Sequence, residues 1–358
     1  MNWHNPVRIQ SRSGLLKTIQ FEQSFIILAD PNAVSSALKI KLEDHWGPQC
    51  IAWFNQPYAK SSIESAISLC GLIWPLMMQH PKAALLAIGG GTTLDLAKII
   101  RYRLIDLNFA TEVWRSNKLP QQYHRHTLWC APTTSGTGSE VTPWATLWDL
   151  NQQAPEKRSW SQPAGFPELA LLDPELTQSC PVNITRDTAL DALAHALESI
   201  WNTNAHPITR TLAIESAKTL LLYLPQSLDN LTDLHYREKL SHASLLAGLA
   251  MSQTQTALAH ALSYDLTLNE NMPHGHACAI WLPMCMDISS KQDTQVRDAL
   301  EQIFECSVNQ ANQKLIDWLN RLEVETRDLR SSPDGKKILR AALTSQRGKN
   351  FIGHADEF

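Results

Sequence analysis

The stretch "HALSYDLTLNENMPHGH" carries His260, His274 and His276, and an imidazole can ligate a metal, move a proton or fill a core. Upstream, "DALAHALES" places Asp191 and His195 four residues apart in an Ala/Leu-rich segment. Helical spacing brings such a pair to one face, about 5–6 Å apart at Cβ. On an apolar face these groups need a partner, which is either a hydrogen bond within the core or a shared cation. His260 lies in a second apolar helical pattern, and His274 stands between Pro273 and Gly275, where a sharp turn can fix an imidazole at a helix start. One carboxylate with three imidazoles suits Fe(II) or Zn(II) and leaves a position open for a substrate oxygen. His276 and Tyr264 are candidates beside that set, or else surface and packing residues.

Two further blocks suit a nucleotide. "AIGGGTTLDLAKII" follows an apolar strand and opens a helix, so Gly89, Gly90 and Gly91 can let backbone N–H groups approach a pyrophosphate, with Thr92 and Asp95 in the same block. The alternative is a tight strand-to-helix turn with no ligand. "APTTSGTGSEVT" offers Thr133, Thr134, Ser135, Thr137 and Ser139 on a glycine-punctuated loop, suited to ribose and phosphate oxygens or to capping the next segment. Two such loops at successive strand ends point to a crevice at the carboxyl edge of a parallel sheet. Asp30 ends the strand "FIILAD", where it would accept from ribose hydroxyls and favour NAD(H) over NADP(H), or would cap the turn before Pro31.

The elements that must position these residues fall into two halves. Apolar strands at 25–30, 50–54, 83–91 and 126–134 alternate with helical patterns, which predicts a parallel sheet covered on both faces. Beyond "LALLDPEL" long Ala/Leu-rich helical segments take over at 186–201, 208–224 and 237–264, and "LRSSPDGKK" reads as a polar turn. The expected organisation is an α/β dinucleotide-binding domain over 1–176 and an all-helical metal-binding domain over 177–358. A net charge of −4 with scattered Lys and Arg excludes a nucleic-acid footprint. No apolar run is long enough to span a membrane and no leader is apparent, so a cytoplasmic protein is expected. The seven cysteines form no CxxC pair and read as buried thiols.

In this order, "GGGTTLD", "PTTSGTGSE", "LDPEL", "DALAHALES", "HALSY" and "PHG" resemble the iron-containing alcohol dehydrogenase family over most of the chain. The resemblance implies the dehydroquinate synthase-like fold, with catalysis in a cleft between a nucleotide domain and a helical metal domain. It implies Asp191, His195, His260 and His274 as ligands of Fe(II) or Zn(II), a nicotinamide cofactor, a small aldehyde or alcohol substrate and a homodimer. Many members carry a histidine four residues after the third ligand; Tyr264 stands there, leaving Tyr264, His276, ribose or water to deliver the proton. "NPV" at 5–7, "EKRSW" at 156–160, "HALSY" and "PHGHA" look most like the phosphonoacetaldehyde reductases, with Lys157 and Arg158 as candidate phosphonate partners or surface charges. Alternatives are a generic primary alcohol or polyol dehydrogenase and a non-catalytic metal- or nucleotide-binding relative. Against the family pattern, Ser11 and Ser13 surround a usual glycine turn, Asp265 replaces a common proline, and the end at Phe358 predicts a missing terminal helix.

Overall fold

Strands of Ile, Leu and Ala with no polar alternation must be buried on both faces, and those of the first half are. The structure, a computed structural model, describes residues 3–151 and 155–353, so Phe358 lies outside the described residues. Its strands are β1 (Arg8–Ser11), β2 (Phe25–Ala29), β3 (Cys50–Asn55), β4 (Ala84–Gly89), β5 (Tyr102–Leu104), β6 (Tyr123–Arg125), β7 (Leu128–Pro132), β8 (Trp144–Asp149), β9 (Glu156–Ser161) and β10 (Leu169–Leu172). Six form one parallel sheet in the order β1-β10-β7-β4-β2-β3, while β5–β6 and β8–β9 are separate antiparallel pairs. Alternate residues of β2 and β4 feed two cores. Ile26, Leu28, Leu85 and Ala87 pack under α2 (Ile63–Gln79), α3 (Gly91–Ile100) and α4 (Ala110–Ser116), and Phe25, Ile27, Leu86 and Ile88 pack with α1 (Ser36–Trp46) on the other face.

The strand order reverses between β2 and β4, because the chain leaves β2 outward to β3 and returns on the other side to β4. Ligand crevices of open α/β sheets lie at such switch points, beyond the carboxyl ends of the strands. Asp30 and the glycines 89–91 sit at those two strand ends.

Two compact units divide the chain. One holds Asn5–Thr134 and Ser139–Cys180; the other holds Ser135–Gly138 and the chain from Pro181 onward. The second unit is helical: α5 (Val182–Ile200), α6 (Pro207–Asp229), α7 (Leu234–Thr254), α8 (Leu258–Asn269), α9 (His274–Ala279), α10 (Leu282–Gln292), α11 (Thr294–Phe304), α12 (Val308–Arg321) and α13 (Pro333–Thr344). Helix α5 is buried on every side from Ala189 to Ile200, and α6, α7, α8 and α9 pack around it. Its alanines permit that crowding. None of the described helices is long and apolar enough to cross a membrane.

Several elements differ from the sequence-based expectation. The segment 237–264 is two helices, broken where Gln255 takes a positive φ of 62°. Within "LRSSPDGKK", Pro333 begins α13, capped by Ser332 Oγ accepting from Gly335 N, so half of this polar stretch is helix. The edge strand β1 and the pair β8–β9 carry no strong apolar alternation and are fixed by their neighbours instead.

Ser135–Gly138 lies against helices of its own unit. A Cβ on Gly136 would fall 2.6 Å from Thr188 Cβ in α5, and one on Gly138, whose φ is +59°, would fall 2.5 Å from Gly248 Cα in α7. Backbone cannot give way as a side-chain tip can. Gly138→Ala should therefore destabilise the protein by roughly 2 kcal/mol or more, seen as a lower Tm in thermal unfolding.

Candidate metal centre

Asp191 and His195 project from the same face of α5, as their spacing requires, and each is 5% exposed. His260 enters from α8 at 1% exposure. His274 is the first residue of α9 and stays partly exposed, its side chain 32% accessible. Asp191 Oδ1 lies 3.4 Å from His260 Nε2, 3.7 Å from His195 Nε2 and 3.9 Å from His274 Nε2.

These separations exceed the hydrogen-bond range. Donors sharing a tetrahedral ion at about 2.0–2.1 Å lie about 3.3–3.4 Å from one another, which the shortest of the three meets and the others approach. Asp191 Oδ1 and His260 Nε2 are buried without a hydrogen-bond partner, a costly arrangement for a protein to keep unless a cation compensates it. The residues therefore fit a divalent ion. Among the described residues, one donor set lies mutually within 4.8 Å: Asp191, His260, His274 and Cys278. His195 adjoins this set, its ring stacked on that of His260 at 4.7 Å between centroids. All seven cysteines are free thiols, five of them buried and Cys50 and Cys306 half-buried.

Electrostatics favour positive charge here. Burial works to raise the Asp191 carboxyl, but the His195, His260 and His274 rings hold it well below the usual carboxylate range. Burial also pushes His195 down to about 4, outweighing Asp191, so that imidazole is neutral and able to ligate. His260 moves the other way: burial lowers it, yet Cys278, Glu198 and Asp191 raise it further.

Glu198 is the residue that sequence reasoning missed. It is fully buried, and its Oε2 accepts from His260 Nδ1 at 2.7 Å and from Ala257 N at 2.7 Å, while Oε1 accepts from His260 N at 3.2 Å. Burial tends to raise this carboxyl, but His260 and the backbone donors bring it below its ordinary value, so it is ionised. An ionised carboxylate can only accept, so His260 donates through Nδ1 and turns Nε2 toward Asp191. The signal was available in "DALAHALES", where Glu198 follows His195 by three residues on the same helical face.

The other candidates take varied places. His276 Nδ1 lies 3.7 Å from Asp187 Oδ1, and the Arg347 guanidinium lies over the Tyr264 ring at 5.2 Å. Gly90 opens α3 as a cap without a side-chain hydrogen bond, and Thr133 N donates to Gly89 O at 3.1 Å, tying the loop after β7 to the end of β4. Thr134 packs on Gly90, whose added Cβ would fall 3.3 Å from it, and Thr92 Oγ1 donates to Ala59 O at 3.5 Å. Asp30 Oδ1 accepts from Asn32 N at 2.8 Å and so caps its turn. Asp95 does not present an open acceptor: its oxygens take Ser139 Oγ at 2.7 Å and Thr146 N at 2.8 Å, and the buried Lys98 also binds Ser139 Oγ at 2.8 Å. Asp95 and Ser139 thus brace the loop from inside. Ser135 and Thr137 lie in the helical unit, on either side of Gly136, which packs against Thr188 of α5. Arg158 is paired with Glu156 at 2.5 Å and Asp149 at 3.7 Å, and Lys157 lies over the Trp148 ring at 5.8 Å. Neither stands as an open phosphonate anchor.

Replacing Glu198 by Gln keeps the shape and removes the charge that orients His260. Glu198→Gln should lower metal affinity about 10–100-fold while the far-UV circular dichroism stays unchanged, as read by competition with a chelator.

Comparison with known proteins agrees with this geometry. The model of iron-containing alcohol dehydrogenases matches residues 11–174, and that of the C-terminal part of the same family matches 185–331. Among curated relatives, 1-propanol dehydrogenase PduQ of Salmonella typhimurium is 36% identical over 197 residues, 55% of this chain and 49% of that protein. Choline dehydrogenase of Bacillus subtilis is 32% identical over 212 residues, 58% of this chain and 51% of that protein. The matched part of the chain thus spans about half the length of these two relatives. Sulfoacetaldehyde reductase from Bifidobacterium kashiwanohense, solved in complex with NAD+, superposes with a TM-score of 0.85 at 24% identity, covering 99% of this chain and 96% of that one. A 1,3-propanediol oxidoreductase superposes at 0.81 with 20% identity, covering 99% and 97%. These likenesses give the fold, and the two consecutive family matches, one over each half, place the chain in the iron-containing alcohol dehydrogenase family.

Proposed function

We propose that this chain is a metal-dependent oxidoreductase that reduces an aldehyde with a nicotinamide cofactor, and that its substrate is phosphonoacetaldehyde, reduced to 2-hydroxyethylphosphonate. The observation that carries the metal-dependent reading is the convergence of three imidazole nitrogens on the buried Asp191 Oδ1 at 3.4, 3.7 and 3.9 Å. When bound, a divalent ion supplies Lewis acidity toward the carbonyl oxygen, and a nicotinamide supplies the hydride. Asp191, His195, His260 and His274 would hold Fe(II) or Zn(II), with Glu198 keeping the His260 tautomer.

On the nucleotide side, the backbone of Gly89, Gly90 and Gly91 would receive the pyrophosphate at the start of α3. Asp30, at the neighbouring strand end, would repel a 2′-phosphate and favour NAD(H). Beside cofactor ribose and water, two groups of this chain are candidates to deliver the proton. One is Tyr264, whose phenol burial raises against the pull of Arg347, so it is protonated at neutral pH. The other is His276, whose Nδ1 lies 3.7 Å from Asp187 Oδ1. The homodimer of the family resemblance belongs to the same reading.

The phosphonate substrate is supported by the likeness of the sequence blocks at 5–7, 156–160, 260–264 and 273–277, although Lys157 and Arg158 of the second block do not stand open to an anion. Sulfoacetaldehyde, named for a structural relative, is likewise a two-carbon aldehyde with an anionic head group. The rival is a primary alcohol dehydrogenase, favoured by the 1-propanol dehydrogenase relative. Initial rates of NADH oxidation by anaerobically Fe(II)-loaded protein, with phosphonoacetaldehyde and propionaldehyde at matched concentrations, separate the two. The expectation is a kcat/KM at least about tenfold higher for the phosphonate aldehyde, worth about 1.4 kcal/mol of transition-state binding. Comparable rates would favour the rival, and no turnover with either would overturn the reductase reading itself.

A further inference from the structure

We propose that Cys278 is a further, sulfur ligand of the ion that Asp191, His195, His260 and His274 would hold; the inference rests on the metal-dependent reading above. Cys278 follows His274 by four residues in α9 and is fully buried. One donor atom from each of Asp191, His260, His274 and Cys278 lies within 4.8 Å of the other three, and no other cysteine joins such a group among the described residues. Its Sγ is 3.9 Å from His274 Nε2. A thiolate sulfur and an imidazole nitrogen sharing an ion lie about 3.5 Å apart at ordinary zinc bond lengths, so a few tenths of an ångström separate the thiol from a ligating position.

A buried cysteine usually serves as a small apolar filler. Here the atoms it faces are polar: Asp191 Oδ1 and His260 Nε2 are buried without hydrogen-bond partners, and a filler would leave them so. Gly275 makes the placement possible. A Cβ at that position would fall 1.9 Å from Asp187 O and 2.7 Å from Asp191 N, so α9 rests directly on the α5 backbone and delivers both His274 and Cys278 to Asp191. On ion entry the S–H proton passes to the buffer and a sulfur lone pair forms the bond to the metal, with no change of oxidation state. A thiolate is softer than the carboxylate and imidazoles around it, which suits Zn(II) or Co(II) better than Fe(II).

The test is X-ray absorption at the metal edge of the full chain loaded with Zn(II), together with the optical spectrum of the Co(II) form. A sulfur shell at about 2.3 Å is expected, with a near-ultraviolet sulfur-to-cobalt charge-transfer band that Cys278→Ser and Cys278→Ala both abolish while metal stays bound. Bound metal with nitrogen and oxygen neighbours alone, and a Co(II) spectrum the same in Cys278→Ser, would overturn the inference and leave the metal-site reading standing. Failure to take up any metal would overturn both. The absorption measurement uses the unaltered protein, so poor folding of a variant does not blunt it.

Discussion

A fully buried carboxylate has to be met by donors, and Glu198 is the point at which that requirement shapes the helical unit. Its three acceptances come from Ala257 N, His260 N and His260 Nδ1, all at the start of α8. The backbone N–H groups there are free for it only because the helical run breaks at Gln255. The carboxylate therefore caps α8 from inside α5 and orients the imidazole that α8 carries. Losing the charge would loosen a helix start and a metal ligand together, so local folding and ligand geometry are one interaction at this position.

Close backbone approach is the second condition. Asp191 can meet His274 only if α9 rests on α5 without an intervening side chain, and Gly275 provides that contact. The same logic admits the tetrapeptide Ser135–Gly138, whose glycines lie on Thr188 and Gly248. Alanine through α5 continues it, since a helix crowded on every side has little room for larger residues.

What was legible in the sequence follows from how local each signal is. Apolar strands such as "FIILA" and "ALLAIG", and the glycines after the second, are decided by a few neighbouring residues, and the parallel sheet emerged as expected. Asp191 and His195 share a helical face, so their pairing could be read, and His260 and His274 join them in space. The break in 237–264 could not be read, because Gln255, Thr256 and Ala257 carry no strong breaker and the compensating carboxylate lies far away in the sequence. Cys278 was hidden for a similar reason: its meaning depends on the orphaned atoms it faces. Asp95 sits in a block that suggests a ligand, yet its neighbours in the fold occupy both oxygens.

The two units solve the problem of presenting polar groups in opposite ways. At the carboxyl edge of a parallel sheet, strand ends and helix starts leave backbone N–H groups without partners, so glycines that clear space around them are enough, and Gly90 caps α3 with no side chain at all. Inside a helical bundle backbone groups away from the helix ends are already committed to their own helix, so chemistry there must come from side chains carried inward and then satisfied. That demand explains why the helical unit buries Asp191, His195, Glu198 and His260 in one place, while the sheet unit presents Gly89, Gly90 and Gly91 at the end of β4 and Thr133 and Thr134 after β7. It also explains the asymmetry in what sequence can reveal. A glycine turn announces itself locally, whereas a buried polar cluster becomes intelligible only when the partners of each atom are counted.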